Sequence, residues 1–448
     1  MGSGVSGTPE APRSMSASES VQRPAPARAR TAAPTQPLPA RLIAWFAVSD
    51  KRMALALASL ALLLHLVVIL YGTTPVHDEH YYVSEGRSIL NGVQVALAEH
   101  PPLGKLFIAF GMGIFGDNAL GWRIFPVLFG VVSVSLFYLV CRRLAGRLTA
   151  VFASILLIFE NLIFVFSGIA MLEVFSLTFM LLSFLLYLQN RHALSGVSLA
   201  LSGLCKMTGL FGGLVILIHW LVTKRRDSFR RIPFFLLSAT AAFLLLMPLL
   251  DRLTLGEWLS PFSRLHYMLV YHQGLTWDRL TPELIAFGHP STPWHWIVSP
   301  QGYYMSTYAV GFDMMLNYTI WVLIIPSMCY MIYDFARNRT SLSLFVILWF
   351  AATYLPWVFI AASGRITSLY YFYPTAGAIC MAVGFALSKL WQCSIKQRLA
   401  RYRLGARIFV CLYFIAHIYF FFIFSPVVYA IRAYVLGSPG EPLWFWLK

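Results

Sequence analysis

Two adjacent carboxylates are the residues in this sequence that are best suited to chemistry. Asp78 and Glu79 lie within a run of His and Tyr residues at 77–82, soon after a long apolar segment. A carboxylate at the boundary between lipid and water can act as a general base and take a proton from a hydroxyl group. The same residues also suit the first turn of a helix, where the helix dipole stabilises negative charge. Residue type alone leaves both interpretations open.

A second polar cluster surrounds a pair of prolines. Glu99 and His100 precede the prolines at 101–102, and Lys105 follows them. Because proline fixes φ and is tolerated in the first turn of a helix, the pair predicts an extended turn that leads into a helix. This turn would hold Glu99 and His100 rigidly near the bilayer surface. A plain proline-rich helix start would give the same pattern.

Metal binding is a further interpretation of this region. His77, Asp78, Glu79, His80 and His100 offer enough ligands for zinc. The first two histidines, however, lack the spacing of a helical HExxH site. None of the six cysteines forms a CxxC pair, so neither a disulfide framework nor a thiolate metal site is indicated. We therefore predict no metal and no cofactor.

The elements that position these residues are membrane spans. Hydrophobic residues make up 58% of the chain and charged residues 12%, and the mean hydropathy is +0.69. An average soluble protein has about 25% charged residues. Repeated apolar runs of about 20 residues match the thickness of the hydrocarbon core. The composition therefore excludes an ordinary soluble protein and predicts a multi-pass protein of the cell membrane.

The net charge of +16 does not indicate nucleic-acid binding. Basic residues cluster in short breaks between apolar runs, which is the pattern of cytoplasmic loops under the positive-inside rule. The main clusters lie at 142–147, 224–231, 337–339 and 396–407. We therefore expect the lipid bilayer, and no nucleic acid, as a partner.

The apolar runs predict about eleven transmembrane helices. They lie near 53–71, 120–141, 148–166, 169–189, 232–250, 315–333, 341–362, 366–388 and 408–430, with two short helices within 192–223 that are separated by a break near 205–209. The break follows from topology, because the basic loops on either side of 192–223 both belong in the cytoplasm. The chain between them must therefore cross an even number of times.

The same topology divides the chain into a tail and one membrane domain. Residues 1–40 are rich in Pro, Ala and Ser, and we predict a disordered cytoplasmic tail. Residues 41–448 form the membrane domain. Its loops 72–119 and 251–314 then lie outside the cell, and the apolar run 103–116 suits a helix that lies in the membrane interface.

A series of short motifs runs along the chain in a fixed order. It consists of Asp78-Glu79-x-x-Tyr82, His100-Pro101-Pro102-Leu103-Gly104-Lys105, Phe115-Gly116-Asp117-Asn118, Gly121-Trp122-Arg123-Ile124-Phe125-Pro126, Ala170-Met171-Leu172-Glu173, Cys205-Lys206-Met207-Thr208-Gly209-Leu210, His289-Pro290 with Trp294 and Trp296, Leu355-Pro356-Trp357, and Arg365-Ile366-Thr367 with Tyr370 and Tyr373-Pro374. This series resembles the protein O-mannosyltransferase family, glycosyltransferase family 39. The chain departs from the family at Gly168, where Arg is frequent, at Glu173, where Asp is usual, and at Phe372, where His is frequent.

The resemblance implies a GT-C fold, which is an all-α bundle of membrane helices with the active site at its external face. It implies that Asp78 is the catalytic base and that Glu79 orients the acceptor or the sugar. The residues that it implies for substrate binding, the first three for the carrier phosphate, are Arg123, Lys206, Arg365, Glu99, His100, Lys105, Glu173 and Tyr370. Cations in a membrane are usually paired, and a phosphate suits them, although lipid headgroups anchor such side chains as well.

Two further groups of residues have alternative roles. His289, Trp294, His295 and Trp296 fit either an acceptor cleft or an aromatic belt at the membrane interface. Glu160, like Glu173, either faces the site or forms a hydrogen bond with a neighbouring helix.

The resemblance also implies the reaction. The enzyme would move a sugar, mannose in this family, from a polyprenyl-phosphate donor to a hydroxyl group of an acceptor protein or glycan, in one inverting step. No cofactor is required, because Arg and Lys can stabilise the charge that grows on the leaving phosphate. The sequence leaves the acceptor and the oligomeric state open.

Two rival functions remain. One is a related transferase with another acceptor, such as the aminoarabinose transferases, which read Lys-Pro-Pro where this chain has His100-Pro101-Pro102. The other is a transporter or flippase, which intramembrane charges and a broken helix also suit. The chain has no paired broken helices in two halves, and this argues against transport.

Overall fold

The computed structural model describes residues 1–2, 4, 49–95, 98–223, 225–279, 290–299, 303–307, 310–396 and 400–437. Contacts divide the chain into two units, Met1–Trp45 and Phe46–Lys448. Most of the predicted tail, 1–40, and His289 lie outside the described residues.

The second unit is built almost entirely of α-helices, which confirms the predicted all-α membrane bundle. In chain order the helices are α1 Asp50–Val68, α2 Glu79–Leu90, α3 Leu103–Phe115, α4 Ala119–Ala145, α5 Arg147–Ile158, α6 Asn161–Gly168, α7 Leu172–Leu188, α8 His192–Cys205, α9 Phe211–Thr223, α10 Arg225–Leu255, α11 Pro261–Gln273, α12 Pro293–Val298, α13 Tyr318–Trp321, α14 Ile324–Asn338, α15 Ser341–Ala362, α16 Tyr373–Lys396, α17 Ala400–Phe424 and α18 Pro426–Leu436. Short 3-10 turns lie at Met207–Leu210, Trp277–Arg279 and Leu369–Phe372.

One short hairpin interrupts the helical architecture. Strands β1 Tyr303–Thr307 and β2 Val310–Met314 pair antiparallel, with Tyr303 opposite Met314. The hairpin lies within the second predicted external loop. No strands were predicted in this loop from the sequence, although aromatic residues favour strands.

Six helices among the described residues are long and apolar enough to span a membrane, and a seventh span results if α5 and α6, which are bent by 63°, count as one. The six are Asp50–Val68, Ala119–Ala145, Phe229–Leu255, Ser341–Ala362, Leu369–Ile395 and Arg401–Phe424. The predicted count of about eleven is not confirmed. The other predicted spans correspond to α7, α8, α9 and α14, and these helices have 17 residues or fewer.

The predicted break in 192–223 is present in the structure. Helix α8 ends at Cys205, Lys206 has an extended backbone with φ −154°, and α9 begins after the 3-10 turn. The turn requires Gly209, because a Cβ atom there would lie 2.1 Å from Ser202 Oγ and 2.3 Å from Ser176 Oγ. The close approach of these helices therefore fixes the position of Lys206.

Two glycines hold α3 against α4. Helix α3 ends at Gly116, whose φ of +87° favours glycine, and Asn118 caps α4 by accepting bonds from the N–H groups of Leu120 and Gly121. A Cβ on Gly121 would lie 2.0 Å from the Gly116 carbonyl oxygen. The tight junction sets the direction of the first turns of α4, which carry Arg123.

A buried polar network holds the bend between α5 and α6. The Glu160 carboxylate accepts bonds from the N–H groups of Ile163 at 2.7 Å and Asn317 at 3.0 Å. The Asn317 amide donates to the carbonyl oxygens of Phe159 at 3.1 Å and His417 at 2.9 Å. Glu160 thus caps α6 and binds a neighbouring segment, the second of the two roles that the sequence left open.

We expect the Asn317→Ala variant to lower the thermal stability of the protein. The substitution removes both amide bonds and leaves buried carbonyl groups unpaired, at a cost of about 2–3 kcal/mol in the free energy of unfolding. Thermal denaturation of purified protein in detergent measures the effect. Asn91→Ala, at an exposed helix end, is the matched control. Equal midpoints for the two variants would show that the network contributes nothing.

Candidate active site

Asp78 stands at the start of α2 but does not cap it. Its backbone occupies the N-cap position, yet its side chain makes no capping hydrogen bond. The carboxylate is 18% exposed, and Oδ1 lies 3.3 Å from Nδ1 of the fully buried His77. His77 has φ +50°, a strained value for a residue other than glycine. The structure thus places Glu79 in the first turn of α2, as the helix interpretation predicted, and leaves the Asp78 carboxylate without a capping bond.

Glu79, in contrast, is fully buried, and both of its oxygens are used inside the protein. Oε1 accepts from Arg123 Nε at 2.9 Å and from the Ala170 N–H at 2.7 Å. Oε2 accepts from Arg123 Nη2 at 2.8 Å and from the Val76 N–H at 2.9 Å. These bonds give Glu79 a structural role, and they join the start of α2 to α4 and to the link between α6 and α7. Its predicted contact with a substrate stays a prediction.

Arg123 uses its whole guanidinium group in the same arrangement. Besides the bidentate pair with Glu79, it donates to the carbonyl oxygens of Tyr71, Gly72 and Thr74 at 3.1, 2.7 and 3.2 Å. An arginine has five N–H donors, and these contacts engage all of them. The predicted phosphate contact of Arg123 stays a prediction, and its geometry favours fixing the 71–79 segment instead.

Lys206 and Glu173 form a second buried ion pair. Lys206 Nζ donates to Glu173 Oε1, and both side chains are at most 5% exposed. Nζ also lies 5.0 Å from the ring centre of Tyr370 and 5.6 Å from that of Tyr371. The Tyr370 ring contacts His77 edge-on at 5.1 Å. The pair is therefore connected through Tyr370 to the residue beside Asp78.

Arg365 approaches the same region from the segment before α16. Its Nε donates to the His272 carbonyl oxygen at 2.8 Å, and Nη2 lies 3.1 Å from His272 Nδ1. Its guanidinium lies over Trp357 and Tyr371, at 6.0 and 5.8 Å. Only part of its donor capacity is used in these contacts, and its side chain is half-buried. Arg365 is thus better placed than Arg123 to bind another group.

His272 is held as a neutral imidazole. Burial, followed by the charges of Arg365 and Lys206, lowers the pKa of His272 to about 4. In a neutral ring, Nδ1 can accept from Arg365 while Nε2 donates to the Glu99 carbonyl oxygen at 3.1 Å. This tautomer satisfies both contacts and fixes α11 against the segment that carries Glu99.

His100 and Tyr82 connect His272 back to α2, and so close the series of contacts that runs from Asp78 through Lys206 and Arg365. The His100 ring lies 5.2 Å from His272 and 6.2 Å from Tyr82, and Tyr82 lies one turn after Asp78 in α2. Burial, followed by the charge of Lys206, lowers the pKa of His100 well below its usual value. Burial and nearby carboxylates, Asp78 and Glu173 first among them, raise the pKa of Tyr82. Residues that lie far apart in sequence therefore form one connected group.

Lys105 lies next to this arrangement with two carboxylates. Its Nζ is 2.9 Å from Glu85 Oε1 and 3.7 Å from Glu99 Oε1. Burial raises the pKa of Glu85 to about 7, although Lys105 opposes this effect. One oxygen of each carboxylate has no hydrogen-bond partner in the described part of the chain. The cluster fixes the turn that holds His100.

One ion pair of the site was missed in the sequence. Arg264 Nε lies 3.1 Å from both carboxylate oxygens of Asp251, and Nη1 donates to the Ala98 carbonyl oxygen at 2.8 Å. The pair ties the end of α10 to α11 and to the segment before Glu99. An Asp at a span end, followed by an Arg on the next amphipathic helix, was the available signal.

The second loop packs against the segment that follows Arg365. The Ser291 N–H donates to the Thr367 carbonyl oxygen at 2.7 Å, and the Thr367 hydroxyl donates to the Ser291 carbonyl oxygen at 2.6 Å. Trp296 is buried and donates to Ser291 Oγ, whereas Trp294 is 44% exposed. His295 Nδ1 lies 2.6 Å from the Thr292 hydroxyl. Trp296 is thus part of the support of the site, and Trp294 remains available for the acceptor or the membrane interface.

The structure brings most of the predicted site residues together. Those that contact one another directly or through a single ring are Asp78, Glu99, His100, Lys105, Glu173, Lys206, Arg365 and Tyr370. Glu79 and Arg123 form the separate buried pair. Within the described part of the chain, no group of three or more His, Cys, Asp or Glu side chains is arranged to hold a metal ion.

We expect Arg123→Lys to destabilise the fold. Lysine keeps the charge but offers three donors in place of five, so buried carbonyl groups lose partners, at a cost of about 2–4 kcal/mol in the free energy of unfolding. The thermal midpoint of the purified protein measures this. Arg87→Lys is the matched control, because Arg87 pairs with Asp117 at 46% exposure, where such pairs contribute about 0–1 kcal/mol. A midpoint for Arg123→Lys no lower than that of the control would contradict the structural role.

Comparison with known sequences finds similar proteins among the mannosyltransferases. The profile of the dolichyl-phosphate-mannose-protein mannosyltransferase family matches residues 99–250. A polyprenol-phosphate-mannose–protein mannosyltransferase of Mycobacterium tuberculosis is 36% identical over 135 residues, which is 29% of this chain and 26% of that protein. The namesake of Corynebacterium glutamicum is 25% identical over 414 residues, 71% of this chain and 78% of that protein. The chain thus aligns with about a quarter of the first relative and with most of the second.

Solved structures share the architecture. The Saccharomyces cerevisiae protein O-mannosyltransferase Pmt1-Pmt2 complex, bound to its sugar donor, has a TM-score of 0.69 at 13% identity, covering 86% of this chain and 91% of that one. ArnT from Cupriavidus metallidurans, bound to undecaprenyl phosphate, has a TM-score of 0.56 at 15% identity, with coverage of 86% and 78%. These likenesses identify the fold. The chain is similar in sequence to protein mannosyltransferases, and its membrane bundle has the GT-C fold.

Proposed function

We propose that the chain transfers mannose from a polyprenyl-phosphate carrier to a hydroxyl group of an acceptor, a Ser or Thr side chain of a protein, at the external face of the membrane. The observation that carries the proposal is the closed series of contacts that links Asp78 to Lys206 and Arg365. The relatives named as polyprenol-phosphate-mannose–protein mannosyltransferases support this donor and this acceptor. A solved neighbour with undecaprenyl phosphate supports a lipid carrier of this kind.

The transfer is a single displacement. Asp78 takes the proton of the acceptor hydroxyl, and the hydroxyl oxygen forms a bond to the anomeric carbon of the sugar. The bond from that carbon to the phosphate oxygen breaks, and its electron pair stays on the phosphate. Because the oxygen attacks opposite the leaving phosphate, the configuration at the anomeric carbon inverts. Asp78 suits the role of base, since its carboxylate is partly exposed and does not cap its helix.

Lys206 and Arg365 stabilise the charge that grows on the phosphate. Both side chains lie near the Tyr371 ring, with Lys206 Nζ 5.6 Å and the Arg365 guanidinium 5.8 Å from its centre, and we expect one phosphate group to bind both of them. Arg365 offers a planar pair of donors, which suits two phosphate oxygens, and Lys206 acts as a point charge. No metal ion takes part in the proposed step.

The external location rests on the distribution of charge. Basic clusters end two helices whose other ends lie near the site. Arg142 and Arg143 lie in the last turn of α4, whose first turns carry Arg123, and α16 runs from the segment after Arg365 to the cluster at 396–407. If these clusters are cytoplasmic, as the positive-inside rule requires, the site faces outward and the N-terminus lies in the cytoplasm.

We expect Asp78→Asn to reduce the turnover number by about 10²–10⁴-fold, the usual contribution of a general base. The amide keeps the size of the side chain but cannot take the proton. Transfer of labelled mannose from polyprenyl-phosphate mannose to an acceptor peptide, with purified protein in lipid nanodiscs, measures the effect.

Glu257→Gln is the control for this experiment, because Glu257 is exposed and bonds only to Gln94 among the described residues. This variant should retain wild-type transfer. If Asp78→Asn retains it as well, with an unchanged thermal midpoint, Asp78 is not the base.

We expect Arg365→Lys to raise the KM for the donor by about 10–100-fold, as for the loss of a charge-assisted bond of about 1.5–3 kcal/mol. Lysine keeps the charge and loses the planar pair of donors, so the thermal midpoint should change little. Donor titration at saturating acceptor measures KM. A raised KM for the acceptor with an unchanged KM for the donor would assign Arg365 to the acceptor and contradict a phosphate contact.

A further inference from the structure

The buried pair of Lys206 and Glu173 places a negative charge beside a cation that the proposed function assigns to the phosphate. We propose that Glu173 promotes release of the product, polyprenyl phosphate, by competing with it for Lys206. The inference rests on the proposed function and adds a step after the transfer. It differs from a role of Glu173 in holding the substrate, which the sequence resemblance implied.

The contacts define what Glu173 can do. It lies in the first turn of α7, where the helix dipole stabilises its charge. Oε1 accepts a hydrogen bond from the Lys206 ammonium. The other oxygen, Oε2, is buried without a hydrogen-bond partner among the described residues. Glu173 is also among the charges that act on Tyr82 and Tyr370, as Asp78 is. Any phosphate that binds Lys206 therefore shares this ammonium with a carboxylate.

The charge of the phosphate changes during the reaction. The donor is a phosphodiester with one negative charge. When the bond to the anomeric carbon breaks, the electron pair stays on the phosphate oxygen, while the acceptor proton moves to Asp78. The product is a phosphomonoester, and such a group carries about −1.5 to −2 at pH 7 because its second pKa is about 6. The leaving group is therefore more negative than the donor.

Without a competing anion, the site would hold its product more tightly than its donor. Lys206 and Arg365 attract the extra charge, and the low dielectric of a buried site strengthens the attraction. The carboxylate of Glu173 acts in the opposite direction, since its repulsion grows with each unit of charge on the phosphate. Glu173 thus weakens binding of the monoester more than binding of the diester, and it restores the Lys206 pair when the product leaves.

The test compares Glu173→Gln, Glu173→Asp and the control Glu257→Gln in the full chain in lipid nanodiscs. For each protein, the inhibition constant of added polyprenyl phosphate is divided by the KM for polyprenyl-phosphate mannose. We expect Glu173→Gln to lower this ratio by about tenfold, which corresponds to about 1.4 kcal/mol, and to lower the turnover number because release becomes slow. Glu257→Gln removes an exposed carboxylate that lies outside the site, so its ratio should equal the wild-type ratio.

A direct binding measurement separates this inference from the proposed function. Native mass spectrometry gives the affinities for polyprenyl phosphate and for a polyprenyl phosphodiester without any transfer. We expect Glu173→Gln to favour the monoester more than wild type does, even if mannose proves to be the wrong sugar. The inference is overturned if Glu173→Gln leaves the ratio of inhibition constant to KM unchanged or raises it. Absence of lipid-phosphate binding by the wild-type protein overturns it as well. If Glu173→Gln does not fold, Glu173→Asp, whose shorter side chain reaches Lys206 less well, must lower the ratio in the same direction.

Discussion

The bidentate ion pair between Glu79 and Arg123 is the interaction on which the candidate site depends. Removing two charges from water is unfavourable, and such a pair is stable only if every remaining donor and acceptor finds a partner. This condition is met here, because Arg123 also binds three carbonyl oxygens of the chain between α1 and α2, and Glu79 also accepts two backbone N–H groups. Asp78, which directly precedes Glu79, is not part of this pair, and its carboxylate is partly exposed. Glu79 therefore stabilises the structure around the site, whereas Asp78 is available for the reaction.

The rest of the site follows from polar groups that are held by distant segments. Lys206 is set by the broken helix between α8 and α9, and Arg365 by the carbonyl group and ring of His272. His272 is in turn set by the pair of Asp251 and Arg264, which fixes the position of α11. Aromatic rings fill the space between these cations, and rings favour cations without neutralising them. The arrangement keeps positive charge available in a largely apolar bundle.

The sequence predicted the parts of this structure that depend on local pattern. Hydrophobic run length placed the helices, and the even number of crossings between basic loops predicted the break at Lys206. The count of about eleven spans was not confirmed, since several helices are shorter than a full span and the pair α5 and α6 is bent by 63°. Run length therefore fixes where a helix lies more reliably than whether it crosses the membrane.

Side-chain pairing was predicted less well, because it depends on contacts between segments far apart in sequence. Lys206 and Arg365 were identified through the family motifs, but nothing in the sequence showed that Arg123 would be used up by Glu79 or that Lys206 would pair with Glu173. Each residue had a plausible partner in a phosphate. Only the three-dimensional arrangement distinguishes a cation that is fully satisfied within the protein from one that retains donors.

The most direct test of the central claim is the position of a bound donor. A cryo-electron microscopy structure of the Asp78→Asn protein with polyprenyl-phosphate mannose should place the phosphate against Arg365 and Lys206, with the anomeric carbon facing residue 78. A phosphate bound instead to Arg123, or on the side of the membrane away from residue 78, would contradict the account.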